Sequence, residues 1–76
     1  MRTARIEVYT SRYLGWLWRY IAANGSTLAE SAHGYVHRAD AIRGLEQVCG
    51  GFVHQIGDDY WMTRGNTRGI LVRMLP

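Results

Sequence analysis

The chain predicts an α+β fold in which a single helix packs on an antiparallel sheet meander, in the order β-β-β-α-β(-β). Two observations carry this. Residues alternate with period two on both sides of the middle of the chain, and only between Arg38 and Cys49 do apolar residues recur at helical spacing. Punctuation is the third sign, because Asn24-Gly25, Gly34, Gly50-Gly51, Gly57-Asp58-Asp59 and Gly65-Asn66-Thr67-Arg68-Gly69 divide the alternating stretches.

The first strand runs from Arg5 to Thr10, with Ile6, Val8 and Thr10 on one face and Glu7 and Tyr9 on the other. After a loop from Ser11 to Gly15, Trp16 to Ala22 forms a second strand of aromatic and β-branched residues. Its faces are Trp16, Trp18 and Tyr20 against Leu17, Arg19 and Ile21, so both are partly apolar. Ala23-Asn24-Gly25-Ser26 predicts a tight hairpin of type I′, in which both central residues take positive φ. A third strand from Thr27 to about Ala32 ends at His33-Gly34, where glycine offers a backbone conformation closed to other residues.

The helix begins near Arg38, and its stripe is Ala41, Ile42, Leu45, Val48 and Cys49. Gly50-Gly51 supplies a left-handed stop. Gly44 inside the helix costs roughly 1 kcal/mol against alanine, and close packing on the sheet is the expected reason. Beyond the helix, Phe52 to Ile56 and Tyr60 to Thr63 form a hairpin, and Ile70 to Leu75 closes the chain with Ile70, Val72 and Met74 opposite Leu71, Arg73 and Leu75.

The 76 residues make one domain, and a chain of that size hides only about 60% of its unfolded surface. With 47% hydrophobic and 20% charged residues, more apolar surface needs covering than one small core conceals, which favours self-association. Cys49 is the single cysteine, so no internal disulfide or cysteine metal site forms, and the chain fits a reducing cytoplasm. The N-terminus shows no export signal, and no apolar run reaches the roughly 18 residues of a membrane span. Nine arginines and no lysine against six acids give a net charge of +3. The absence of lysine reads as the codon bias of a GC-rich genome, and the arginines are scattered rather than clustered in a nucleic-acid tail.

The ordered run Ile6-Glu7-Val8-Tyr9, Trp16-Leu17-Trp18-Arg19-Tyr20, Ala22-Ala23-Asn24-Gly25, Ala29-Glu30-Ser31 and Gly34-Tyr35 resembles the YegP-type small-domain family, and the helix continues the match. The most specific part is W-x-W-R, then A-x-N-G, then S-x-x-G-Y. Residues 1–76 are thus expected to be a single YegP-like domain, matched over about 5–56 and extended over 57–76. The resemblance implies a β-β-β-α-β unit which, in single copy, dimerises with one shared sheet and exchanged C-terminal strands, Phe52 to Ile56 being the counterpart of the exchanged strand. It names no reaction. The family usually places serine at the helix N-cap, where this chain has His37, a poorer cap.

Candidate sites follow from residue types. His33, His37 and His54 have no metal-ligand spacing, and Ser31 with His33 or Cys49 with His54 lacks an orienting acid, so no catalytic residue, metal or cofactor is expected. Asp58 and Asp59 belong to turn formation. The row Trp16, Trp18 and Tyr20 is expected beneath the helix, although aromatic residues interleaved with arginine also suit base stacking. Leu17, Ile21, Phe52, Ile56 and Trp61 are then the expected dimer or partner interface. Two function classes follow: a homodimeric, non-enzymatic module that binds a protein, or a nucleic-acid-binding module with Arg12, Arg19, Arg64, Arg68 and Arg73 as phosphate contacts. Clustering of those arginines on one face would favour nucleic acid; an apolar patch rimmed by arginine would favour protein.

Overall fold

A computed structural model describes residues 3–64 and 69–75. The elements are β1 (Arg5–Ser11), β2 (Gly15–Ile21), β3 (Thr27–Glu30), α1 (Arg38–Cys49), β4 (Phe52–Ile56), β5 (Asp59–Thr63) and β6 (Ile70–Met74). The strands form one six-stranded sheet in the order β3-β2-β1-β6-β5-β4. The chain is thus α+β as expected, but the sheet is mixed and not a purely antiparallel meander. β6 lies parallel to β1, in the register Ile6 to Val72 and Val8 to Met74, while every other pair is antiparallel. The sequence hid this because hairpin turns announce only neighbours along the chain, and β1 and β6 are its two ends. The turn predicted over 65–69 falls, except for Gly69, outside the described residues.

Alternation decides the two faces. Ile6, Val8, Trp18, Met62 and Val72 point to the helix side and bury against Ala41 and Leu45, with Trp16, Tyr20, Val53, Tyr60 and Ile70 packed around them. Trp18 is 2% exposed, and its indole Nε1 is buried with no hydrogen-bond partner among the described residues. The aromatic row therefore lies beneath the helix rather than presented for base stacking. Val48, placed on the buried stripe, is 65% exposed. The face that packs is Ala41, Ile42, Leu45 and Cys49, and its centre is rotated away from Val48.

Several local expectations change. Only Gly25 takes positive φ in the β2–β3 turn; its N–H donates to the Ala22 carbonyl, and the Ala22 N–H donates to the Ser26 carbonyl. That is a three-residue loop closing on a glycine, not a type I′ turn, and the Asn24 side chain stabilises it by accepting the Ser26 N–H at 2.9 Å. β3 stops at Glu30 because Ser31 replaces part of the ladder: its N–H donates to the Trp18 carbonyl, and its hydroxyl accepts the Trp18 N–H at 3.2 Å. Gly34 does not take positive φ. It is required because any Cβ there would overlap the Leu14 carbonyl. Gly44 is open for Tyr35, whose hydroxyl occupies the place of a Cβ, and Tyr35 is itself held by backbone bonds to Trp16. The helix cap is His37, extended at φ −115° and without a side-chain bond, and Gly50 ends the helix in the left-handed conformation.

Candidate interaction surface

The helix covers one side of the sheet. On the other side, alternation and register place Arg5, Glu7 and Tyr9 of β1, Leu17, Arg19 and Ile21 of β2, Glu30 of β3, Leu71 and Arg73 of β6, Asp59 and Trp61 of β5, and Phe52, His54 and Ile56 of β4. The expected interface residues Leu17, Ile21, Phe52, Ile56 and Trp61 all fall on this uncovered face. They differ in what they offer. Phe52 and Ile56 are exposed at 69% and 63%, Leu17 and Trp61 are half-buried, and Ile21 is already buried within the chain.

An ionic group lies at the centre of the face. Glu7 accepts from Arg19 Nε at 2.6 Å and from Arg5 Nε at 3.2 Å, and its register partners on the two flanking strands are Arg19 and Arg73. The arginine side chains cover it, so Glu7 is buried although no second layer among the described residues lies above. Burial by itself pushes its carboxyl up; the bonds from Arg19 and then Arg5, with their charges, outweigh this and hold it below its ordinary value. Arg19 is pushed up in turn, chiefly by its bond to Glu7, and its guanidinium lies 4.7 Å from the centre of the Tyr9 ring. Beside this group, a hollow of about 360 Å³ is lined by Thr3, Ala4, Trp61, Gly69 and Leu71.

The arginines named as phosphate contacts do not gather. Arg19 and Arg73 share the uncovered face on either side of Glu7. Arg12 lies in the β1–β2 turn over Tyr13, Arg64 lies on the helix side near Gly51 and acts on Cys49, and Arg68 is outside the described residues. Among the described residues of the face, Arg5, Arg19 and Arg73 are equal in number to Glu7, Glu30 and Asp59.

The weaker candidates separate as well. The Ser31 hydroxyl is engaged with Trp18, while His33 Nδ1 lies 3.0 Å from the Gly34 carbonyl oxygen and its ring lies 4.6 Å from that of Tyr35, tilted by 48°. His54 Nε2 lies 3.0 Å from Thr63 Oγ1 on the uncovered face, across the sheet from Cys49. Burial pushes the Cys49 thiol up, against the opposing pull of Arg64. Asp58 sits in the β4–β5 turn, whereas Asp59 belongs to β5 and pairs with Ile56. No group of three or more His, Cys, Asp or Glu side chains that could hold a metal occurs among the described residues, and no helix among them is long and apolar enough to cross a membrane.

Sequence reasoning missed Tyr9, Leu71, Arg5 and Glu7 as members of this surface. Their alternation was readable, but Leu71 and Arg73 join Tyr9 and Glu7 only through the parallel β1–β6 pair. Comparison with protein-family models, with curated proteins and with solved structures gives no match.

Proposed function

We propose that this chain is a homodimeric protein-interaction module whose binding surface is the uncovered face of its sheet. The observation that carries the reading is the shared placement of Leu17, Trp61, Phe52 and Ile56, with Tyr9 and Leu71, on a face that no second layer among the described residues covers. A sheet with one apolar side packed and a second partly apolar side open normally gains a further layer, and in a chain this small that layer comes from another molecule. The balance of arginine and carboxylate across the face supports a protein surface over a polyanion, which would favour an excess of positive charge. A dimer with one shared sheet, as the YegP-type resemblance implies, joins two such faces. The single, half-buried Cys49 suits the cytoplasm, where thiols stay reduced.

Light scattering across a dilution series tests the reading: a dimer that persists on dilution is expected, and a stable monomer overturns it. Titration of the tryptophan fluorescence with mixed DNA and RNA at low salt provides the second arm. No binding is expected, and tight, salt-sensitive binding would turn the reading to nucleic acid.

A further inference from the structure

Edge strands usually carry something that deters pairing: charge, proline, a bulge or short length. β3, at one edge, has four residues, Glu30 and a register shift against β2. β4, at the other, reads Phe-Val-His-Gln-Ile, without charge, proline, glycine or a bulge. Its one guard comes from the helix. The Val53 N–H donates to Glu46 Oε2 at 2.8 Å and so points away from β5. The N–H and C=O of a strand residue point the same way and alternate along the strand, so both backbone groups of Gln55 also point outward. They have no partner among the described residues.

We infer that a second copy of this chain adds to the β4 edge, antiparallel about a two-fold axis through Gln55, and that Glu46 sets this register. The inference rests on the homodimer reading and names its joint. Pairing centred on Gln55 uses both of its open backbone groups, sets His54 beside the partner's Ile56 on the uncovered face, and leaves the Val53 N–H with Glu46. The two other in-phase registers that overlap most of the strand are centred on His54, which opposes Val53 to the partner's Gln55, and on Val53, which opposes Val53 to itself; both strip Glu46 from Val53 in both copies. A two-fold axis makes the strand its own partner, and an uncharged strand meets itself without repulsion. The resulting sheet runs continuously through both copies and brings their uncovered faces together.

Single cysteines in the full chain, on a Cys49→Ala background, test it by copper-catalysed oxidation read on a non-reducing gel. A disulfide needs Cα atoms within about 7 Å; opposed residues of a hydrogen-bonded pair lie about 5.5 Å apart, and residues two positions out of register lie beyond that limit. Gln55→Cys is expected to cross-link, while His54→Cys and, on the β3 edge, Leu28→Cys do not. Adding Glu46→Ala is expected to move cross-linking to His54→Cys. Cross-linking at His54→Cys or Val53→Cys with Glu46 present, or no movement on its removal, overturns the register. A dimer by light scattering that cross-links at none of Gln55→Cys, His54→Cys and Val53→Cys overturns the β4 joint while leaving the homodimer reading intact, and a monomer overturns both.

Discussion

Arg19 and Glu7 meet across the β1–β2 ladder through an Nε–Oε1 bond of 2.6 Å, on the side of the sheet that the helix does not cover. A buried carboxylate there has only its arginines to offset lost hydration, so the face depends on its own ion pairs.

Stability should therefore depend on pH through Glu7. Its folded value is depressed below the ordinary 4.5, so the stabilisation is complete above that value and is lost as pH falls through the folded value. Urea midpoints measured across this acid range should fall more steeply for the native chain than for Glu7→Gln. At neutral pH, Glu7→Gln is expected to cost about 1–3 kcal/mol. Parallel acid limbs for the two proteins would rule the ion pair out as the cause.

Gly44→Ala should destabilise the domain although alanine is the better helix former by roughly 1 kcal/mol. The added methyl collides with the Tyr35 hydroxyl, and Tyr35 is tied to Trp16 on both sides. Tyr35→Phe should recover part of the loss, giving a favourable coupling in a double-mutant cycle followed by thermal denaturation. Additive effects would place the cost elsewhere.

Ser31→Ala should cost about 1–2 kcal/mol, because the Trp18 N–H loses its side-chain acceptor beside the core. Hydrogen exchange at the Trp18 amide reads the effect directly and should accelerate. Ser31→Thr keeps the hydroxyl and should retain most of the protection.

The Cys49 thiol should react slowly with a disulfide reagent at neutral pH. Burial raises its value and holds it protonated, while the thiolate is the reactive form. Mild denaturant should increase the rate sharply; a thiol already fast in the native protein would show that its shelter has been overstated.

Much of the specific sequence pattern turns out to serve packing. In S-x-x-G-Y, Ser31 replaces a ladder bond to Trp18, Gly34 makes room for the Leu14 carbonyl, and Tyr35 bridges to Trp16 while filling the space above Gly44. These residues read as a motif because each answers a backbone contact, and such contacts cannot be seen from spacing alone.

The sequence by itself determined the elements and their faces. Alternation in Ile6-Val8 and in Trp16-Trp18-Tyr20, the helical stripe through Ala41 and Leu45, and the Gly50 stop are local consequences of side-chain periodicity and backbone freedom. It also placed Leu17, Phe52, Ile56 and Trp61 on the face away from the helix, because each lies opposite the packed side of its own strand. Turn signals announced the hairpin neighbours along the chain, and tertiary structure alone decided how the two groups of strands joined. The parallel joining of β1 to β6 brought Arg73 beside Glu7 and Leu71 into the same face as Tyr9, and it left β4 at the edge with Glu46 on Val53. Periodicity repeats within a strand and fixes only where side chains point; strand order depends on contacts between distant segments, for which one sequence carries no local signal.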